Sequence, residues 1–208
     1  ARLRSLTVLD LTGCSSLTVL SESFGQLRAL KRLDLDGCSS LTVLPESFSL
    51  LRAMLGLDLS GCSSLTVLPE FFGQLSALMS LDMELCSSLA RPDRLLLAHG
   101  AARILRPVEG IGEARPDRLP ESFGQLGALT RLNLDGCSTL AVLPESFGQL
   151  GALTNLYLNG CSSLTVLPIS FGRLGTLTVL YLQDCSSFFT HAHGAARILR
   201  PVESANGA

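Results

Sequence analysis

The spacing of the cysteines constrains the fold of this 208-residue chain more than any other feature of its sequence. Successive cysteines lie 24, 24, 24, 51, 24 and 24 residues apart, at Cys14, Cys38, Cys62, Cys86, Cys137, Cys161 and Cys185. A constant period of this length indicates a protein built from repeated supersecondary units. One such unit cannot bury its own apolar face, so the units must stack and share a continuous core.

Within each repeat, an apolar pattern precedes the cysteine and a turn follows it. In one repeat the pattern is Leu30-x-x-Leu33-x-Leu35, and Cys38 comes three residues later. The alternation of leucines predicts a short strand, and the Pro, Gly and Phe of residues 143–150 predict a short helical or 3₁₀ turn. The predicted fold class is therefore α/β, a curved horseshoe-shaped solenoid. Its parallel β-sheet would line the concave face, and the short turns would line the convex face.

The repeats predict one solenoid over residues 1–189, with about eight repeats of 24 residues, and a non-repeat C-terminal tail or partial cap over 190–208. The 51-residue gap equals two repeats plus three residues, which predicts a degenerate rung at about 90–118. Because the sequence opens in the middle of the pattern, we expect a fragment of a longer chain. Uncapped ends would expose core leucines and predict weak self-association.

A duplicated stretch interrupts the repeat pattern. The residues His99–Glu109 recur as His193–Glu203, 94 residues later, which is not a multiple of the repeat length. Three interpretations remain open: a gene-model or duplication artefact, a C-terminal closing helix, or a specific binding insert.

The charge and hydropathy of the chain exclude two classes of partner. The 16 basic and 18 acidic residues give a net charge of −2, so binding to nucleic acid by bulk basicity is not expected. The chain is 47% hydrophobic, yet no apolar run approaches the roughly 18 residues of a membrane span. We therefore predict a protein partner, with no nucleic acid and no membrane.

The cysteines themselves predict a structural role. At one phase of the repeat they would form a buried ladder, each thiol bonding a backbone group at the strand exit. An odd number of cysteines without a Cys-x-x-Cys pair argues against a disulfide framework or a zinc site. Reduced thiols predict an intracellular, cytoplasmic protein. We expect no cofactor, no metal and no catalytic residue.

Candidate binding residues lie between the strand leucines, where strand alternation points side chains to the concave surface. One ladder of such residues is acidic in the first four repeats, and stacked carboxylates about 5 Å apart repel one another by about 1 kcal/mol. A basic or mixed-charge partner would relieve that repulsion. The same ladder ends in the only two tyrosines of the chain, and tyrosine is favoured at binding hot spots. The predicted partner-binding residues are Asp10, Asp34, Asp36, Asp58, Asp82, Glu84, Arg131, Asn133, Asp135, Tyr157 and Tyr181.

Two structural alternatives stay open for these ladders. The acidic residues are also typical of a consensus that only keeps the sheet face solvated. The two tyrosines would stack on each other even without a partner.

The run Gly37–Phe48, with the lead-in Leu33–Asp36, resembles the leucine-rich repeats of plant intracellular disease-resistance proteins. It is also similar to the repeats of Ras-scaffold proteins, which have Leu-Pro at the same phase but normally Asn in place of Cys. The resemblance implies a leucine-rich-repeat solenoid that acts as a recognition module. In resistance proteins this module follows a nucleotide-binding domain, but no phosphate-binding Gly-x-x-x-x-Gly-Lys-Ser/Thr loop occurs here.

We therefore predict a non-enzymatic protein-recognition module, the ligand-binding sensor region of a resistance-type protein in defence signalling. Three alternatives remain. The first is a free-standing intracellular signalling scaffold. The second is the substrate-recognition arm of a kinase or ubiquitin ligase, and the third is a translated repeat expansion without a selected function.

Overall fold

The computed structural model of the chain describes residues 3–89 and 119–187. These residues form a single parallel sheet of seven strands, in which each strand pairs with the next along the chain. The predicted parallel sheet is therefore confirmed. It is open, with β1 and β7 at its edges. The strands are β1 (Val8–Asp10), β2 (Arg32–Asp34), β3 (Gly56–Asp58), β4 (Ser80–Asp82), β5 (Arg131–Asn133), β6 (Asn155–Tyr157) and β7 (Val179–Tyr181).

Short 3₁₀ turns form the opposite side of the described solenoid, as the sequence predicted. Five of the six turns follow a proline in extended conformation, and the first follows Ser21, whose side chain accepts a hydrogen bond from the Ser23 N–H. Each turn closes when a leucine N–H donates to the carbonyl oxygen of the phenylalanine three residues earlier. The turns are Glu22–Gln26, Glu46–Leu50, Glu70–Gln74, Glu121–Gln125, Glu145–Gln149 and Ile169–Arg173.

The core between the sheet and the turns is a stack of leucine, cysteine and phenylalanine ladders. Phe123 stacks between Phe72 and Phe147, with ring centroids 6.2 Å apart on both sides and planes within 4° of parallel. Because the rings adopt the same orientation, this distance measures the rung spacing on the turn side. It exceeds the roughly 4.8 Å between paired strands, so the stack is wider at the turns than at the sheet. That difference places the sheet on the concave side.

The cysteine ladder bonds successive rungs to each other. The thiol of Cys62 donates to the carbonyl oxygen of Leu35 in the preceding rung at 3.4 Å, and Cys86 donates to Leu59 at 3.2 Å. Cys38, Cys137, Cys161 and Cys185 repeat the contact with residues at the same strand exit. All seven cysteines are free thiols, and all except Cys14 are buried. The prediction that the thiols bond backbone groups at the strand exit is confirmed.

The sheet passes without a break across the irregular segment. Strand β4 pairs directly with β5, with Leu81 opposite Leu132, and the ring of Phe72 stacks on that of Phe123. The described sheet therefore has no strand between β4 and β5, the interval in which the sequence predicts a degenerate rung at about 90–118. Sequence spacing could not show this, because an insertion and a weakened repeat lengthen the gap in the same way. The segment itself, the tail at 190–208 and both copies of the duplicated stretch lie outside the described residues.

Candidate partner-binding surface

The strand register arranges the outward side chains of the sheet in three columns, which together we call the sheet face. The second column contains the last residue of each strand, and its members are paired in register from one edge strand to the other. The first column is Val8, Arg32, Gly56, Ser80, Arg131, Asn155 and Val179. The second column is Asp10, Asp34, Asp58, Asp82, Asn133, Tyr157 and Tyr181. The third column, two residues further along each repeat, is Thr12, Asp36, Ser60, Glu84, Asp135, Asn159 and Gln183.

The second-column aspartates have a structural function that the sequence analysis missed. Oδ1 of Asp58 accepts a hydrogen bond from the backbone N–H of Ser60 at 2.9 Å, and Oδ1 of Asp82 accepts one from Glu84 at 3.2 Å. Asp10 and Asp34 make the same bond to the residue two positions later. The side chain thus satisfies a backbone donor where the strand ends. The recurrence of Asp or Asn two residues before the turn was the sequence signal for this cap.

The cap leaves most of the negative charge of the column unneutralised. Among residues 3–89 and 119–187, one ion pair forms, between Arg32 and Asp34 at 3.8 Å. Asp58 and Asp82 lie in the same column and have no basic partner in the described structure. At the N-terminal edge, hydrogen bonds from the side chain and the backbone N–H of Thr12 lower the pKa of Asp10. The sheet face over β1–β4 therefore remains acidic.

Two of the predicted contact residues are engaged within the fold. Asn133 is only 5% exposed; its Oδ1 accepts a hydrogen bond from the Asp135 N–H, and its Nδ2 donates to Glu84 at 3.4 Å. Neighbouring side chains cover Asn133 in the free chain, so its contact with a partner stays a prediction. Asp135 uses both carboxylate oxygens on Asn159, one on its backbone N–H at 2.7 Å and one on its side-chain amide at 3.1 Å. Its role is to join two rungs.

The two tyrosines form a rigid stack with an arginine. The rings of Tyr157 and Tyr181 are 5.4 Å apart at their centroids and 20° from parallel. The guanidinium carbon of Arg131 lies 4.6 Å from the centroid of the Tyr157 ring, and Nη1 donates to the Tyr157 hydroxyl at 3.2 Å. A cation–π contact at an exposed site contributes about 0.5–1 kcal/mol. Arg131 is exposed, and Tyr181 is 45% exposed.

The capping bond changes partners where the tyrosines replace aspartate. The N–H of Asn159 donates to Asp135, and the N–H of Gln183 donates to Oδ1 of Asn159 at 2.9 Å. In both cases the acceptor belongs to the third column of the preceding rung, whereas over β1–β4 it belongs to the second column of the same rung. Tyr157 and Tyr181 are therefore released from the capping function.

On the turn side, a depression of about 420 Å³ lies between the fifth and sixth turns, and its lining includes Glu121, Glu145 and Ile169. Its carboxylates bond the next rung: Glu145 accepts hydrogen bonds from the backbone N–H groups of Ile169 and Ser170 at 3.3 and 3.2 Å. Glu121 accepts from the Ser146 N–H in the same way. These glutamates link adjacent turns by hydrogen bonds, so the depression is the gap between neighbouring rungs and not a separate binding site.

The thiols of the core are not available as nucleophiles. Burial raises the pKa of Cys62 to about 12, and burial also raises the pKa values of Cys86, Cys137 and Cys161. Because the thiolate is the reactive form, these groups are protonated and unreactive at neutral pH. In the described residues, no helix has the length and apolarity needed to cross a bilayer.

Comparison with known proteins supports the fold. The family model described as Leucine Rich Repeat matches residues 5–27 and 29–51. No curated protein matches the chain. The leucine-rich repeat domain of the type III effector XopL aligns with a TM-score of 0.54 and 22% identity, over 89% of this chain and 63% of that domain.

Two further solved structures align less closely. One is a leucine-rich-repeat protein of Leptospira interrogans, with a TM-score of 0.45 and 26% identity over 81% of this chain and 41% of that protein. The other is the plant peptide hormone receptor RGFR1 in complex with RGF2, with a TM-score of 0.44 and 16% identity over 88% of this chain and 33% of the receptor. The chain spans less than two thirds of each of these structures. The 24-residue repeats and the parallel sheet with its 3₁₀ turns form a leucine-rich-repeat solenoid, and the family model matches two of its repeats.

Proposed function

We propose that the chain is a non-catalytic protein-recognition module that binds its partner on the sheet face. The observation that carries the proposal is the second column, which is in register across the whole sheet and changes from aspartate to tyrosine along it. The aspartate positions are explained by capping. The tyrosine positions are not, because their capping bonds are made by the third column.

The energetics favour a partner over an empty surface at the tyrosine end. Tyr157 is half-buried and Tyr181 is 45% exposed, so their rings offer rigid contact area to a partner at low entropic cost. The stack with Arg131 reduces the freedom of Tyr157 further, so less entropy is lost on binding. The same stack stabilises the free protein, and binding experiments distinguish the two roles.

Two sets of variants test this function. The partner is first captured from the source tissue by binding to the immobilised full chain, and it is then purified. The first set replaces Asp34 and Asp58 by Arg, and the second replaces Tyr157 and Tyr181 by Ala. Glu46→Arg on a 3₁₀ turn serves as the control, because the Glu46 carboxylate makes no hydrogen bond in the described structure. We expect both sets to weaken binding at least 10-fold and the control to leave it unchanged. Binding that survives both sets would exclude the sheet face.

For the biological role, we propose the ligand-binding sensor region of a resistance-type protein in defence signalling. The support is the resemblance of residues 37–48 to the repeats of plant resistance proteins. Sequencing the full-length transcript tests it. An upstream phosphate-binding loop would support the sensor role, a kinase domain beside the repeats would indicate a substrate-recognition arm, and further repeats alone would indicate a free-standing scaffold.

A further inference from the structure

The sheet face consists of two halves with different chemistry. Over β1–β4 the second and third columns contain the carboxylates Asp10, Asp34, Asp36, Asp58, Asp82 and Glu84. Over β6 and β7 the three columns contain the uncharged residues Asn155, Tyr157, Asn159, Val179, Tyr181 and Gln183. We call these the acidic half and the aromatic half.

The carboxylates at the centre of the acidic half are fixed in position and still able to bind. Oδ1 of Asp58 and Oδ1 of Asp82 hold the caps, and Asp82 also accepts the Ser60 hydroxyl at 2.9 Å. Within the described residues, Oδ2 of each side chain accepts no hydrogen bond. A lysine or arginine of a partner can therefore bond Oδ2 without breaking the cap, and a charge-assisted hydrogen bond of this kind is about twice as strong as a neutral one.

The aromatic half offers a contact of a different type. Tyr157 and Tyr181 present the edges of a stacked ring pair. Arg131 contacts the Tyr157 ring on one side, and the residues of β6 and β7 in the neighbouring columns are uncharged. Such a surface favours an aromatic or aliphatic side chain, which gains by covering ring area without leaving a charge desolvated.

Arg131 lies on β5, the strand between the two halves. Its guanidinium group is exposed and is held against Tyr157 by the stack and the hydrogen bond to the hydroxyl. A basic side chain of a partner would be repelled at this point. The positive charge of Arg131 therefore separates the acidic half, which would bind basic side chains, from the aromatic half, which would bind an apolar one. It also favours one orientation of a bound segment over the reverse.

The spacing between strands gives the distance between the acidic and aromatic contact sites, and hence the number of partner residues that separate the two contacts. The midpoint of Asp58 and Asp82 is three strand intervals from the midpoint of Tyr157 and Tyr181, because the strands are paired consecutively. At about 4.8 Å per interval, the separation is about 14 Å, which an extended chain covers in about four residues at roughly 3.3 Å each.

We infer, on the basis of the function proposed above, that the partner presents an extended basic–apolar segment lying across the strands. Its lysine or arginine side chains bond Asp58 and Asp82. About four residues away, an aromatic or aliphatic side chain covers the edges of Tyr157 and Tyr181.

A displayed library of random 12-residue peptides, selected on the full chain, tests this inference. The most enriched peptide is then synthesised with a fluorescein label, and its Kd is measured by anisotropy. One double variant, Asp58→Asn with Asp82→Asn, removes the charges but keeps the caps, since Asn133 makes the same cap. The other, Tyr157→Asn with Tyr181→Asn, removes the rings and supplies a capping residue in the same way. Glu46→Gln with Asp184→Asn removes two charges outside the three columns and is the control.

We expect the selected peptides to pair basic residues with an apolar residue four or five positions away. Each of the first two double variants should raise Kd at least 10-fold, and the control should leave it within twofold. The asparagine variant of the acidic half should also lose most of the salt dependence of binding, because that dependence comes from the charge pairs.

Three results would overturn the inference. Selected peptides without a basic residue, or a Kd that does not change in the Asp58/Asp82 variant, would remove the acidic contact. An unchanged Kd in the tyrosine variant would remove the apolar contact, and a library from which the chain retains no peptide would exclude a linear segment. In each case the partner experiment with the arginine and alanine variants still decides whether the sheet face is the recognition surface at all.

Discussion

The glycine found in five of the six described 3₁₀ turns tests how the rungs stack. A methyl group added to Gly148 would lie 2.6 Å from Cβ of Ser170 in the next rung, and closer still to the Ser170 carbonyl oxygen. Gly172 occupies the same repeat position one rung later, and no atom of the described residues lies within 4 Å of such a methyl group there. Neither glycine has a positive φ, so the two positions differ in space and not in backbone strain.

The cost of Gly148→Ala has two parts. Forcing a methyl group into a packed contact costs about 1–3 kcal/mol. Separating the turns also breaks the hydrogen bonds from Ile169 and Ser170 to Glu145, at about 0.5–1.5 kcal/mol each. We therefore expect Gly148→Ala to lower the free energy of unfolding by about 2–6 kcal/mol relative to Gly172→Ala. The effect of Gly→Ala on the unfolded chain, about 0.4–1 kcal/mol, is common to both variants and cancels.

The chain contains a natural version of this substitution. Ser49 stands in the second turn where the other turns have glycine, and Phe71 stands in the next turn at the serine position. Those two turns pack less closely than the others. In the described residues, Phe48 and Phe72 do not stack, and the Glu46 carboxylate accepts no bond from the next turn. A side chain at the glycine position is therefore accommodated by widening the turn stack.

Urea denaturation followed by far-ultraviolet circular dichroism measures the difference, with free energies taken from linear extrapolation. Equal slopes for the two variants would show that both unfold the same structure. If the free energies of Gly148→Ala and Gly172→Ala agree within about 0.5 kcal/mol, the close approach of Ser170 does not determine the stacking of the turns.

Four further predictions concern the backbone, core and thiols of the described rungs. Leu85 has a φ of 59° at a position where five of the described repeats have glycine, so Leu85→Gly should relieve about 1–2 kcal/mol of backbone strain and raise the urea midpoint; a lower midpoint would contradict this. Leu156 is fully buried, and Leu156→Ala should lower the free energy of unfolding by about 2–5 kcal/mol, measured in the same way. The pKa of Cys62 is raised to about 12 from 9.0, so the folded state keeps a proton that the unfolded state loses, and stability should fall between pH 9 and 12 with a shallower fall in Cys62→Ala. A thiol reagent at pH 7 should label the exposed Cys14 rapidly and the buried thiols only on unfolding.

The repeat architecture could be predicted from the sequence because the ladders use identical residues at identical spacing. The leucine pattern predicted the strands, the Pro-to-Phe run predicted the turns, and the phase of the cysteines predicted their backbone bonds. The sequence predicted where the irregular segment lies, at about 90–118, but not that β4 pairs directly with β5 across it. Leu89 and Leu119 flank the segment, and both are buried in the core that the described rungs share.

The division of the sheet face into structural and available residues also needed the structure. Asn133 and Asp135 have the sequence pattern of surface residues. Asn133 is nevertheless buried, and both carboxylate oxygens of Asp135 accept hydrogen bonds from Asn159. Sequence spacing shows which side of a strand a residue faces. It does not show which neighbour takes up its hydrogen-bonding groups, because that depends on side chains in the adjacent rung, at least 24 positions away.

The capping bonds define where such a sheet can vary for recognition. A second-column residue is constrained as long as it must accept the N–H two residues later, and this constraint favours Asp or Asn. It is lifted when the third column of the preceding rung supplies the acceptor, as Asp135 does for the rung of Tyr157 and Asn159 does for the rung of Tyr181. A large aromatic residue in the second column therefore requires an acceptor one rung earlier in the third. Coupling of this kind lets the solenoid change its binding chemistry rung by rung without leaving a backbone donor unsatisfied.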